Sequence, residues 1–321
     1  MKETDADIYA MMPPKSMSEK CGLDLSSHGR YGYSAIVHRP NYDWPEGRRL
    51  AVYIGLNLEH FAFGEGLGAE LAPGGPQPDV LNYAWRDYGN RVGVWRLLQL
   101  FDALDLPVAL LVNSTLYNYC PEVITAFRDR NDEIVAHGRT NSERQSVLSE
   151  MAETKLIRET TDIITQYEGN PPQGWLGPWI AQSHLTPDLL QEMGYTYLLD
   201  WCCDDQPIWF KTRQGRILAV PYSQEVNDIP AIAVRRTSAS DFADMIIDQY
   251  EEMKLQSQEQ PLVYGIALHA YLVGQPFRLR HLRRALTHIA KDAAQHHDVV
   301  WLTHPGQIAQ HTASLPEGTV V

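Results

Sequence analysis

The sequence predicts an α/β protein, an irregular (β/α) barrel of about seven strands, on three observations. Apolar, β-branched runs alternate with segments of helical period about seven or eight times without a change in composition. No glycine-rich phosphate loop of the GxGxxG or Walker type opens any of the helical segments, which disfavours an open nucleotide-binding sheet. The strands also end in polar residues, as in a barrel whose chemistry sits at the C-terminal ends of its strands. One barrel accounts for most of the 321 residues. Residues 1–48, which contain Pro13-Pro14, Pro40 and Pro45-Glu46-Gly47, are read as an N-terminal arm, and 49–321 as a single domain.

The elements follow in order. Leu50 to Phe61 begins apolar and ends polar, the pattern of a buried strand opening on solvent, and a Gly/Pro-rich loop from Gly64 to Pro78 comes next. Val94, Leu97, Leu98 and Phe101 form the single apolar stripe of a helix laid on a sheet. Residues 107–112 are a strand, 121–130 a helix, 133–136 a strand and 146–167 a long helix. Thr186-Pro187-Asp188 and Gly194 bracket a short helix with a cap, a first-turn proline and a glycine stop. Residues 195–201 read as a strand, 217–220 as one arm of a hairpin turning near Gly215, 242–253 as a helix, 262–268 as a strand, 279–289 as a helix and 299–302 as the last strand.

Composition narrows the function. With 27 basic against 40 acidic residues and a net charge of −13, the chain is unsuited to phosphate backbones or anionic membranes, so neither nucleic acid nor membrane is an expected partner. A 44% hydrophobic content excludes a disordered chain. Cys21, Cys120, Cys202 and Cys203 form no CxxC pair, which points to reduced thiols. The first residues carry acids where a secretory leader carries bases, and no apolar run spans a bilayer; the expected location is the cytoplasm. The partner expected is a small molecule, with a homo-oligomer or a lid as alternative uses of the 64–78 loop.

The strand ends supply the candidate chemistry. The first ends in Asn57 and Glu59, which share a face by alternation. The second ends in Asn113-Ser114-Thr115 and the third in His137 through Asn141; Trp175 and Trp179 follow in GWLGPW; Asp200-Trp201 and Asp204-Asp205 end the fifth, and His269 ends a later one. Taken singly, each has a plainer reading: a strand-end histidine is more often a hydrogen-bonded structural group, an Asp-Asp before Gln-Pro is turn chemistry, and tryptophans are core. Their convergence on one mouth makes an active site the default.

At these residues the chain resembles the polysaccharide deacetylase superfamily, carbohydrate esterase family 4 with its NodB-homology barrel, over about residues 40–311. Within it the resemblance is greatest to the branch of metal-independent allantoinases and cyclic-imidase-like proteins. It is carried by LNLEHF, YGNRVGVWRLL, EIVAHG, GWLGPW, YLLDWCCDDQPIW and LHAYLVGQPFR, in that order. The resemblance implies a hydrolase of non-peptide carbon–nitrogen bonds acting on a small amide, cyclic amide or ureide such as allantoin. It implies Glu59 as general base, His269 as general acid, His137 as orienting or polarising group and Asp205 as a catalytic-site carboxylate that binds substrate N–H groups. Asn57, Arg91, Asn141, Trp175, Trp179, Asp200, Trp201 and Asp204 would contact substrate.

Metal-dependent members use two acids on the first strand and two histidines four residues apart. Here Asn57 and Glu59 stand at the acids and Asn141 at the second histidine, so no cofactor is expected; Glu59 and His137 are the two groups left that could hold a zinc-like ion. The alternatives are a metal-dependent carbohydrate N-deacetylase with altered ligands and an inactive ligand-binding barrel.

Overall fold

The computed structural model describes residues 26–321. Cys21 and the first part of the expected arm lie outside the described residues. The described residues hold nine strands: β1 (Leu50–Leu58), β2 (Val108–Val112), β3 (Glu133–Ala136), β4 (Gly174–Trp175), β5 (Tyr197–Leu198), β6 (Ile208–Thr212), β7 (Gly215–Ala219), β8 (Leu262–His269) and β9 (Val300–Leu302). Their order is β6-β7-β5-β4-β3-β2-β1-β8, with β9 also paired to β1; every pair is parallel except the β6–β7 hairpin. The sheet curls into a half-barrel wrapped by helices, the irregular α/β barrel the sequence predicts.

The two ends of the sheet meet across a seam that is not a continuous ladder. Val263 N donates to Asp205 O at 2.8 Å near the start of β8, and Ala267 N donates to Val226 O at 3.1 Å near its end. A bridge between Asn227 and Ala267 adds to the second contact. This stitching brings the segment after β7 against the C-terminal end of β8, where the polar strand ends lie.

Alternation sorts the side chains into two cores. Leu50, Val52, Ile54, Leu56 and Leu58 of β1, with Val108, Leu110 and Val112 of β2, face the surrounding helices. Ala51 and Tyr53, with Ala109 and Leu111, Val135, Leu176, Leu199, Val263 and Ala267, fill the barrel interior. The inward register continues past the strand ends to Asn57, Glu59, Asn113, His137 and His269. Trp44, 1% exposed, belongs to the interior core and donates Nε1–H to Leu262 O at 3.0 Å.

The described part of the arm is held to the barrel by charge and rings. Arg30 pairs with Asp188 at 2.6 Å and Arg39 with Asp204 at 2.6 Å, while Tyr31 packs against Trp201 and Phe210. No helix among the described residues is long and apolar enough to cross a membrane. Cys120 is buried, and Cys202 and Cys203 are exposed and free.

Beyond the unexpected helices Leu116–Tyr119 and Pro305–Ser314 and a long helix that starts at Glu150, two differences from the sequence reading bear on the site. A helix, Val80–Tyr88, precedes the expected one and is joined to Val94–Leu104 by a π-helical stretch, Gly89–Gly93. The sequence reading misses it although Leu81, Ala84, Trp85 and Tyr88 recur at helical spacing; a second sign is the cap, where Asp79 accepts from Asn82 N at 2.9 Å. The strand expected over 195–201 shrinks to Tyr197–Leu198. The ladder ends there because Gly177 N donates to the Asp200 carboxylate at 2.6 Å.

Asp200 is a buried acid whose other oxygen, Oδ2, has no partner among the described residues. Burial pushes its pKa up to about 7, opposed by the Gly177 N–H and reinforced by Glu153. A carboxyl that gains affinity for its proton on folding stabilises the fold when protonated, and that contribution is lost as pH rises from the ordinary Asp range through the raised value. Asp200→Asn keeps an oxygen for Gly177 N and removes the titration. The variant should therefore gain stability relative to wild type between about pH 4 and pH 7, on the order of 4 kcal/mol at most. Thermal unfolding across that range checks this; parallel curves for the two proteins would contradict it.

Candidate active site

The inward strand ends converge on a cavity of about 240 Å³ lined by Asn57, Glu59, His137, Leu176, Trp179, Ile180, Tyr222, Gln224, Asn227, Ile229, Pro230, Val234, His269 and Tyr271. Glu59 is its centre. Its Oε1 lies 3.9 Å from His137 Nε2 and 3.6 Å from His269 Nε2, and it accepts a hydrogen bond from Asn141 Nδ2. Its backbone carbonyl accepts from Asn90 Nδ2 at 2.9 Å. Burial favours the neutral acid, but His137, His269 and the more distant Arg86 outweigh it and hold the carboxyl below its ordinary range.

The two histidines present the same edge from opposite supports. His137 Nδ1 lies 2.7 Å from Leu176 O. A carbonyl can only accept, so Nδ1 carries a proton and Nε2 faces the cavity, buried and without a partner. Gly138, with φ of +64°, turns the chain directly after it, and a Cβ there would stand 2.8 Å from Pro178. His269 Nδ1 lies 2.6 Å from Asp228 Oδ1, and Asp228 Oδ2 accepts from the His269 backbone N at 2.8 Å. Burial lowers the His269 pKa, yet Asp228 and Glu59 more than reverse this, leaving it above the ordinary imidazole value.

Asn57 and Tyr222 complete the floor. Asn57 Nδ2 donates to Leu268 O at 3.1 Å, which fixes the amide, and to Tyr222 OH at 2.9 Å. Tyr222 therefore accepts from Asn57 and keeps its own proton free. Burial raises its pKa, so the hydroxyl remains a donor. On the rim, Trp179 and Ile180 have φ of +65° and +52°, left-handed conformations that are costly for large side chains. Trp179 Nε1 donates to Asn141 O at 2.8 Å, which helps hold this turn.

Of the expected site residues, Glu59, His137, His269, Asn57 and Trp179 line the cavity. Asn141 stands behind it, holding Glu59. The others are elsewhere. Trp175 packs in the helix-facing core against Tyr195, because it has the opposite parity to Leu176. Trp201 stacks with His28, Tyr31 and Phe210 under the arm. Asp204 is consumed by Arg39, and Asp205 is exposed at a separate groove along the seam. Asp200 serves Gly177. Arg91 is 70% exposed beside Asp87; the arginine that acts on Glu59 is Arg86, stacked 3.8 Å from the Phe61 ring.

Asp228 and Tyr222 are site residues that the sequence reading misses. Both lie in Tyr222-Ser-Gln-Glu-Val-Asn-Asp228, which the seam contacts lay against the end of β8. Tyr222 continues the inward register of Leu218 and Val220 beyond β7, so strand-end parity points to it, whereas Asp228 lies in neither a strand nor a regular helix and no such rule finds it.

The donor set does not make a three-ligand metal cage. Asn141 turns its NH₂ toward the site, and its oxygen is engaged by Asn113 Nδ2 at 2.9 Å, so the position of the second histidine offers no lone pair. Among the described residues no group of three or more His, Cys, Asp or Glu side chains is arranged to hold an ion. Glu59 and His137 alone fall short of the expected ligand count.

No family model matches the chain. It is 25% identical over 298 residues to a Schizosaccharomyces pombe protein assigned to the polysaccharide deacetylases, covering 83% of this chain and 91% of that one. Among solved structures it is similar to PuuE allantoinase, with a TM-score of 0.75 and 27% identity over 89% of this chain and 99% of that one. It is also similar to a Pseudomonas aeruginosa protein described as a probable polysaccharide deacetylase, with a TM-score of 0.73 and 26% identity over 87% and 97% of the two chains. Shape, strand-end residues and relatives agree that this chain has the polysaccharide deacetylase fold, the NodB-like barrel of carbohydrate esterase family 4.

Proposed function

We propose that the chain hydrolyses a non-peptide carbon–nitrogen bond in a small cyclic amide or ureide, of which allantoin is one example, with Glu59 as base and no step routed through a metal. The family-level part, hydrolysis of a carbon–nitrogen bond, is supported by deacetylase and allantoinase relatives. The observation that carries the reading is Glu59 facing the free Nε2 edges of both histidines inside a small cavity. At about 240 Å³ the space holds the equivalent of about eight waters, enough for a compact ring. Ile180, Ile229, Pro230 and Val234 wall one side and suit its apolar face.

The chemistry follows from proton positions. The 3.9 Å gap between Glu59 Oε1 and His137 Nε2 is too long for a direct hydrogen bond, and in the proposed reaction the attacking water sits there and donates to both. Glu59, ionised at neutral pH, removes a proton as that water attacks the carbonyl carbon. Negative charge grows on the carbonyl oxygen, and the free Tyr222 proton supplies a donor there. His269 then delivers its Nε2 proton to the departing nitrogen while Asp228 keeps the ring oriented and charged. The carbon–nitrogen bond breaks, the attacked carbonyl becomes a carboxylic acid and the departing nitrogen takes the proton, as an amine from a simple cyclic amide or as an amide or urea nitrogen from an imide or ureide; ring opening keeps both on one product.

Turnover should fall by about 10³-fold or more in Glu59→Gln and in His269→Ala, with folding retained by circular dichroism. The assay is a hydrolysis screen over allantoin, hydantoins, cyclic imides and N-acetyl sugars, with and without chelator. Wild-type rates in both variants, or a complete loss of activity on chelation, would refute the assignment.

For the active compound, kcat/KM should follow a bell. It rises as Glu59 ionises, below the ordinary carboxylate range, and declines as His269 loses its proton, above the ordinary imidazole value. In His269→Ala the alkaline limb should be absent from the residual rate.

Tyr222→Phe removes only the hydroxyl. It should lower kcat by about 10²-fold with KM nearly unchanged, since the contact is made to charge that develops during reaction. A rise in KM alone would make Tyr222 a substrate-binding group instead.

A further inference from the structure

Three strand ends are wired together by one buried side chain that has no part in the cavity lining. Asn113, fully buried at the end of β2, accepts from the His60 backbone N at 2.8 Å. A backbone N–H can only donate, so the atom facing it is the oxygen, and the Asn113 amide has one orientation. Its Nδ2 then faces the His137 carbonyl and Asn141 Oδ1 and donates to both, the latter at 2.9 Å. That contact fixes Asn141 in turn: oxygen toward Asn113, NH₂ toward Glu59 Oε1.

We propose that Asn113 is a positioning residue that acts through Asn141: the polarity of one backbone N–H, passed along two amides, ensures that a donor and never an acceptor meets the Glu59 carboxylate. The inference rests on the reading of Glu59 as the base, and it adds the device that keeps the carboxylate aligned. Asn141 is 1% exposed, so bulk solvent does not set its orientation. Left unlocked, its amide presents either end, and the carbonyl end repels Glu59. The lock also ties the residue after Glu59 to the backbone of His137, so the base and the histidine across the water gap keep their spacing.

Relay polarity has a signature that simple packing lacks. Asn113→Asp retains an oxygen for His60 N and offers Asn141 an acceptor, which turns the Asn141 amide and sets its oxygen against Glu59. The unfolding midpoint should fall by roughly 5 °C. Adding Glu59→Gln gives the turned oxygen a donor and should recover at least half of the loss, although residues 113 and 59 share no hydrogen bond. In an Asn141→Ala background this recovery should disappear. Recovery that persists there is charge repulsion between the introduced carboxylate and Glu59, and it overturns the relay. Should Asn113→Asp fail to fold, the neutral Asn113→Ser, which frees Asn141 without adding charge, should lower the midpoint less in an Asn141→Ala background than in wild type; an equal loss in both overturns the relay.

Kinetics separates this inference from the reading below it. On whichever compound of the hydrolysis screen is turned over, Asn113→Ser should lower kcat about tenfold with KM nearly unchanged. In the Asn141→Ala background it should lower kcat little further. If Glu59→Gln retains wild-type turnover, the base assignment fails whatever the coupling. If Glu59→Gln is inactive while Asn113 and Glu59 are uncoupled in stability and Asn113→Ser leaves kcat intact, only the relay is wrong.

Discussion

A buried carboxylate is tolerated only if polar and cationic groups face it, and that constraint organises the mouth of this barrel. Glu59 accepts from the Asn141 amide and faces the His269 Nε2–H edge at 3.6 Å and, across the place of the attacking water, the His137 edge at 3.9 Å, with Arg86 contributing from further off. The first three have their far sides committed: Asn141 to Asn113, His269 to Asp228, His137 to Leu176 O. None of the three is free to turn without breaking a buried hydrogen bond. The site is stiff because its polarity is over-determined, and a base held in this way reorganises little when it takes a proton.

The barrel meets the constraint through parity. Asn57, Glu59, Asn113, His137 and His269 keep the inward register of β1, β2, β3 and β8, so the parity that fills the interior lower down delivers Asn57, Glu59, His137 and His269 to the cavity and Asn113 just behind it. What parity cannot supply comes from places where regular pairing stops. The ladder between β4 and β5 gives out at two residues each, and the freed Gly177 N–H is taken by Asp200, which anchors the turn carrying Leu176 O, Trp179 and Ile180. The open seam beside β8 admits Tyr222 and Asp228. Irregularity is concentrated where the site needs side chains that a closed, even barrel would have pointed elsewhere.

This division explains what can be read in the sequence. The alternation of strands and helices, the polar strand ends and the trio of Glu59, His137 and His269 follow from period and position alone. Trp175 and Asp200 mislead because GWLGPW and YLLDW look like whole strand ends, whereas the inward residues are Leu176 and Leu199. Asp204 and Asp205 carry a turn signal, and Asp204 is neutralised by an arm residue, Arg39, distant in sequence. Asp228 stays hidden because its place depends on a seam contact that local pattern does not encode, whereas Tyr222 lies within reach of the parity of Leu218 and Val220. Arg91 looks the better candidate because it lies within YGNRVGVWRLL, whereas Arg86 stands just before it on a helix that the sequence reading misses.

The amide at position 141 bears on the whole mechanism. In the metal-dependent pattern that the chain resembles, this position holds an imidazole whose lone pair points into the site. Here the same position points N–H protons inward, and the residue it meets is a carboxylate rather than a cation. Exchanging a lone pair for a donor changes the function open to Glu59: a carboxylate bound to a cation is a ligand with little basicity to spare, whereas one that accepts from a neutral amide keeps a lone pair for water. Charge on the substrate oxygen must then be met by protein donors, and the free hydroxyl of Tyr222 is the one that Asn57 leaves available. Such donors supply less than a metal ion does, which favours substrates whose carbonyl is already activated, as in imides and ureides where nitrogen shares its lone pair between two carbonyls. The proposed substrate class thus agrees with the polarity of one buried amide, and that polarity goes back through Asn113 to the backbone N–H of His60.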